Sequence, residues 1–500
     1  MMPAPSNYDD QVGPAANSAP WSHRRLAAVQ GRAPATMFTV IFTFQFLTLL
    51  LPRDGGSAAI IYATPLITTL ALVLTRQFQL RLSSLLALSA LLLPSLLFVS
   101  FGQGGQLNLV LSLATYSSLY LLVLAPAATA DERRLQVWER LVVLMAVAVV
   151  ALGLAQLVAR GFPLRLPYFD FSPDVFEGPY GAGGHRLVPL VVAPALFLQV
   201  LRVTTGAAGF ARTLPVLLLL VFGTVAPGAN AMILAIGTAV GAQVLTVMAR
   251  RAAKTLDLGG YFLSKSGLTQ AVVVGGLAIV LSAGVFAVTG TGSLPHVRKS
   301  ISSLLGVNQT SGPRNAKVAA TLDTLLELPA REPLQPAFGV GLGNYSSWSQ
   351  LLLSGVYVDR FLSGRVGGLP VSYDDTAWDL ILWHISPEAY DLYGRWYVES
   401  ISTQPWSSWQ SLYAETGLLG LILLIAAFAP LLKRLTVFPT DSARLLAAKY
   451  ALGTYAWFAV VCGFIDNFFE YPWLLIPLIL GLLVIPRPAT SESAADPAPT

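Results

Sequence analysis

The chain has 500 residues, of which 54% are hydrophobic and only 11% charged, with a mean hydropathy of +0.64 and a formal net charge of +5. Soluble domains carry roughly 25% charged residues, so this composition excludes an ordinary soluble globular fold and places the chain among polytopic membrane proteins. The single cysteine, Cys462, excludes an intrachain disulfide framework and a cysteine metal cluster, and the basic excess reads as loop charge that orients membrane spans rather than as a nucleic-acid surface.

Residues 1–34 are polar and end in His23, Arg24, Arg25 and Arg32. They lack the early apolar core of a cleavable signal peptide and are expected to form a disordered cytoplasmic tail. About twelve apolar runs follow, near 35–52, 57–75, 82–101, 107–128, 141–159, 187–205, 213–228, 230–249, 269–289, 416–432, 444–465 and 470–486. Most are long enough to cross ~30 Å of hydrocarbon as helices. The pair 213–249 divides at Ala226-Pro227-Gly228-Ala229-Asn230, where Pro then Gly favours a break. Basic residues recur in alternate loops: Arg76 and Arg81; Arg133, Arg134 and Arg140; Arg202 and Arg212; Arg250, Arg251, Lys254 and Lys265; Lys433, Arg434 and Arg444. The positive-inside rule then puts both termini in the cytoplasm. The expected organisation is a tail (1–34), nine transmembrane helices (35–289), an extracytoplasmic cap loop (290–415), three more helices (416–486) and a disordered tail (487–500).

Two long loops fall outside. The first, 160–186, is rich in glycine and ends in His185-Arg186 at the lip of the next span. Arg186 is either an interfacial snorkelling residue or an anion ligand. In the second, Ser311-Gly312-Pro313-Arg314 has the form of a helix start, and Val318, Leu322, Leu325 and Leu326 follow at helical spacing, with Pro329 as the expected stop. This predicts an amphipathic helix along the membrane surface, with Arg314 and Lys317 at its positive end. A bound anion, a nearby carboxylate or plain solvent would offset those charges. Phe338-Gly339-Val340-Gly341-Leu342-Gly343-Asn344-Tyr345 follows. The run suggests a phosphate cradle, without the strand–turn–helix context of a dinucleotide fingerprint. Beyond it Asp374, Asp375, Asp379, His384, Glu388, Asp391, Arg395 and Glu399 mix with Trp378, Trp383, Tyr393 and Trp396. Such a mixture suits sugar rings, and equally suits an aromatic membrane-interface cap.

Two of these stretches carry a resemblance. Pro336 to Tyr345 resembles the motif that follows a loop helix in the O-antigen ligase and polymerase superfamily. Leu412-Tyr413-Ala414-Glu415-Thr416-Gly417-Leu418-Leu419-Gly420 resembles that family's re-entry into the membrane. Arg314 sits where the family usually has an arginine. The resemblance covers roughly residues 140–430. It implies an all-α, GT-C-like membrane glycosyltransferase with about 12 transmembrane helices and a large extracytoplasmic loop domain between helices 9 and 10. It also implies metal-independent transfer of saccharide from an undecaprenyl-diphosphate carrier, with no cofactor, on the outer face of the bacterial cytoplasmic membrane. Departing pyrophosphate charge calls for fixed cations, so Arg186, Arg314, His185 and Lys317 are the expected diphosphate ligands. Gly339, Gly341, Gly343 and Asn344 form the expected substrate loop.

Where ligases of this family have a His-Asn pair, this chain has Trp406-Ser407, and the region 227–230 lacks the family's arginine. A repeat-unit polymerase therefore fits better than a ligase. Asp374, Asp375, His384 and Glu415 are the candidates for the base that activates the acceptor hydroxyl. The expected partners are the lipid-linked oligosaccharide, membrane lipids and other polysaccharide-assembly proteins, with no nucleic acid. A transporter or flippase of lipid-linked sugars is the alternative. It would explain many spans, but the 290–415 insertion has no counterpart in the first half of the chain.

Overall fold

A computed structural model of the protein describes residues 39–52, 55–74, 92, 105–118, 132–159, 176–181, 184–227, 229–255, 316–347, 375–385, 391, 404–435, 437 and 441–485. Among these residues every regular element is helical. The first seven helices are α1 (Thr39–Thr48), α2 (Gly55–Leu74), α3 (Gly105–Thr115), α4 (Glu132–Ala159), α5 (Leu187–Thr204), α6 (Phe210–Val225) and α7 (Asn230–Thr255). Four short helices follow: α8 (Ala316–Leu322), α9 (Leu328–Arg331), α10 (Gln335–Phe338) and α11 (Asp375–Leu380). The chain returns to long helices with α12 (Ser408–Leu432) and α13 (Ala443–Ile465), then α14 (Pro472–Val484). Among the described residues five stretches are long and apolar enough to cross a membrane: in α4, in α5 with the turn before it (Gly184–Thr204), and in α7, α12 and α13.

Helices α5 and α14 are apolar on every side and form the centre. All of α14 is buried, as is α5 from Leu187 to Gln199. A helix without a polar face must be surrounded. Helix α4 lies against both, as does α13, and α7 packs on α13. Each central helix contains a proline, and each proline removes a backbone donor. Pro194 deprives the Leu190 carbonyl of its helical partner, and Pro477 does the same to Trp473. One side chain from α13 lies against both stretches. The Tyr455 hydroxyl lies 2.7 Å from the Leu474 carbonyl, 3.2 Å from that of Leu190 and 3.5 Å from that of Trp473. The Trp138 indole on α4 donates to the Pro477 carbonyl at 2.9 Å, and that of Trp473 donates to Leu49 at 2.8 Å, fixing α1 to the centre.

Among the described residues, the ion pairs of this bundle lie at its two ends. At one end Arg444 Nε donates to Glu139 at 2.8 Å and Lys449 pairs with Asp441 at 2.7 Å. There Arg434 donates to the carbonyls of Leu482 and Leu483, closing the C-terminus of α14. Ser442 caps α13 by accepting from the Leu445 amide. At the other end lie Arg186 and Asp466.

The division at 226–230 is where the sequence predicts it, between α6 and α7. Three expectations need correction. Pro329 does not stop the loop helix. A π turn, Asp323–Glu327, widens the helix just before it, and the proline enters at the start of α9, where no donor is missed. Helix α12 begins at Ser408, eight residues before the expected span. Helix α14 is shorter than the run 470–486 assigned to it. For α14 the cause is local: a 3₁₀ turn, Phe468–Glu470, and Pro472 set a late start. The expected spans 82–101 (apart from Leu92) and 269–289, and both tails, lie outside the described residues.

Candidate functional site

The two glycine motifs, some 75 residues apart in sequence, close on each other. Helix α12 is broken at Gly417, whose φ of 64° is outside the helical range. A break strands the carbonyls of the preceding turn. The Gly-rich segment supplies their donors one after another. Gln335 Nε2 donates to the Tyr413 carbonyl at 3.0 Å, the Val340 amide to Ala414 at 2.9 Å and the Gly341 amide to Glu415 at 3.0 Å. Contact is too close for side chains on either partner. A Cβ on Gly339 would overlap the Glu415 carbonyl, and one on Gly417 would lie 2.5 Å from the Ala337 carbonyl carbon. Gly339 also has φ of 75°, which disfavours any other residue.

Glu415 then closes the loop from within. It is fully buried, and its two carboxylate oxygens accept from the backbone amides of Gly343 (2.9 Å), Tyr345 (3.2 Å) and Ser347 (3.0 Å). Its side chain serves the glycine-loop backbone, with each oxygen turned toward main-chain donors. Asn344 turns back on the loop and donates to the Val340 carbonyl at 3.0 Å.

Beside this interlock is a polar layer centred on Asp466, at the C-terminal end of α13. Asp466 is buried; its Oδ1 accepts from the Trp406 indole and from the Asn467 amide, each at 2.8 Å. Its Oδ2 lies 3.9 Å from an Arg186 guanidinium nitrogen, an ion pair longer than a hydrogen bond. Lys317, buried on α8, donates to the carbonyls of Trp406 (2.6 Å) and Ile465 (2.8 Å). Burial lowers its pKa to about 8, and the nearby Asp466 carboxylate offsets part of that shift. Asn467 donates to the Ser346 carbonyl at 2.7 Å, and Ser411 donates to Asn467 at 3.0 Å while pairing with the Ser346 hydroxyl at 2.8 Å. This layer thus joins the glycine loop to Arg186.

Of the expected diphosphate ligands, Arg186 and Lys317 meet around Asp466. The side chain of Arg186 is 23% exposed, whereas Lys317 points its ammonium into the protein. His185 is half-buried on the 3₁₀ turn Gly184–Arg186 that leads into α5. Arg186 directly precedes the first turn of α5, where the helix end adds positive potential. Arg314 lies outside the described residues, as does Asp374. Asp375 opens α11.

His384 is buried elsewhere in the loop segment, with Nε2 3.3 Å from Asp323 in the π turn. Its pKa is lowered by burial, with the Asp323 carboxylate pulling the other way. A second network ties this segment to the layer: Gln410 Nε2 donates to Thr324 at 2.8 Å, and the Thr324 hydroxyl pairs with that of Tyr345 at 3.1 Å.

Among the described residues no three His, Cys, Asp or Glu side chains converge as metal ligands would. The hub that the sequence reading left out is Asp466. Its signal was present: an ionisable residue between apolar runs is costly there and calls for a named partner. Compared with known protein families, curated proteins and solved structures, the chain matches none.

Proposed function

We propose that the protein is a membrane glycan transferase, a repeat-unit polymerase that takes saccharide from a polyprenyl diphosphate. In this reading it has about twelve spans in a bacterial cytoplasmic membrane, both termini inside, and works on the outward face. The observation that carries the reading is the meeting of the two resembling motifs in one interlock, joined through Asn467 and Asp466 to Arg186. The chemistry requires a fixed cation where pyrophosphate departs. Arg186 suits it: the guanidinium fork binds two phosphate oxygens at once and stays charged. Asp466 offsets its charge while no substrate is bound, and the start of α5 reinforces it.

The test is reconstitution of the purified protein with a lipid-linked oligosaccharide in vesicles. Longer glycans and released polyprenyl diphosphate are expected. Arg186→Ala should lower the rate on the order of a hundredfold, with Arg186→Lys intermediate. Movement of the intact lipid-linked sugar across the bilayer without bond cleavage would instead establish the flippase alternative.

A further inference from the structure

Between Ala316 and Gly343 four large apolar side chains stay exposed and are not used by the interlock. Leu326 is 68% exposed, Leu334 60%, Leu325 51% and Phe338 42%. Helix α12, a membrane-crossing candidate, is exposed in the same way past its break, with Leu418 at 53% and Ile422 at 61%. The two edges join. A Cβ on Gly417 would lie 2.6 Å from the Phe338 nitrogen, so Phe338 and Leu418 are neighbours across the interlock.

Depth is fixed by α12. The Ser408 amide donates to the Asp466 carbonyl at 3.2 Å, which sets the start of α12 level with the end of α13. Gly417 is nine residues further, about 13 Å along the helix axis. The tip of the segment, Gly339 to Gly343, meets α12 there, well below the end of the bundle. Irregular backbone at such depth is tolerated only where protein satisfies its polar groups. Glu415 and the carbonyls at the break meet that requirement. Three exposed charges form one cluster: Arg331 pairs with Asp379 at 2.8 Å and with Glu327 at 3.9 Å.

We infer that residues 316–343 form a re-entrant hairpin whose edge, Leu325, Leu326, Leu334 and Phe338, lies among the acyl chains of the bilayer. It continues the lipid-facing surface of α12, and its occupant is bilayer lipid. This holds whether or not the chain transfers sugars.

The test uses the full chain in lipid nanodiscs. Cys462 is fully buried, and Cys462→Ala gives a background without thiols. Nitroxide labels are placed by Leu326→Cys and Leu334→Cys. Ile422→Cys serves as the lipid reference and Glu332→Cys, at an exposed polar position, as the water reference. Collision with oxygen and with a water-soluble nickel chelate is read by electron paramagnetic resonance. The labels at 326 and 334 should match 422, with an oxygen-to-nickel ratio several-fold above that at 332. Nickel access equal to that at 332 would place the edge in water and overturn the inference. Low access to both reagents would mean that protein, such as a second copy, covers the edge, and would equally overturn it.

Discussion

At the residue scale, Glu415 and Lys317 each do a backbone's work with a side chain. The Glu415 carboxylate is the acceptor for three amides of the glycine loop, those of Gly343, Tyr345 and Ser347. Glu415→Gln replaces one acceptor oxygen by a donor facing amide donors. Unsatisfied buried donors cost about 1–3 kcal/mol each, so the variant should unfold at a clearly lower temperature and lose function with it. An inactive Glu415→Gln protein with unchanged thermal stability would instead assign the carboxylate to acceptor activation. Lys317 offers a pH test. In the unfolded chain its ammonium keeps its proton to 10.5, whereas in the folded protein it releases it at about 8. Between these values the unfolded state binds more protons, so stability rises with pH across that window, and the gain is lost as pH falls through 8. A neutral amine still has two N–H groups, enough for the Trp406 and Ile465 carbonyls. Thermal melts in detergent from pH 7 to 10.5 should show this slope in the natural protein and its absence in Lys317→Met.

At the element scale, the broken helix α12 and the glycine loop are one unit, because each supplies what the other lacks. Gly339→Ala and Gly417→Ala would each press a methyl into main chain and force a left-handed backbone on alanine. Each should cost more than about 2 kcal/mol, read as a lowered melting temperature. An Ala208→Gly control, in the α5–α6 turn away from the interlock, should leave the melt nearly unchanged. The sequence discloses the helices in this unit but not the unit itself. Hydropathy finds α4, α5, α12 and α13 because burial in lipid or core leaves a run of apolar residues, and Pro227-Gly228 marks the α6–α7 turn by backbone preference alone. The pairing of Gly339 with Glu415 leaves no local periodicity, since it joins residues 76 apart. For the same reason Glu415 reads locally as a helix-start acid or a base, and its loop amides become visible only in three dimensions. The π turn at Asp323–Glu327 likewise has its partners far away in sequence, His384 on Asp323 and Gln410 on Thr324.

At the scale of the whole molecule, the two charged ends of the bundle are a membrane's thickness apart. Arg444 and Asp466 stand at opposite ends of α13, 22 residues and about 33 Å from each other. Hydrocarbon is ~30 Å thick, so this separation matches the distance between two headgroup regions, and among the described residues the ion pairs of the bundle stand at its two ends. The Glu139–Arg444 pair also sets α4 and α13 at the same depth, which aligns the far end of α4 with the Asp466 layer. Opposite sidedness of these ends is therefore the expected outcome in cells. In the Cys462→Ala background, Ala443→Cys at the basic end should react with a membrane-impermeant maleimide only after the cells are permeabilised. Glu332→Cys should react in intact cells. Labelling of both positions from the same side would break the alignment of α13 with the bilayer normal. It would also remove the basis for placing Arg186 at an outward-facing headgroup layer.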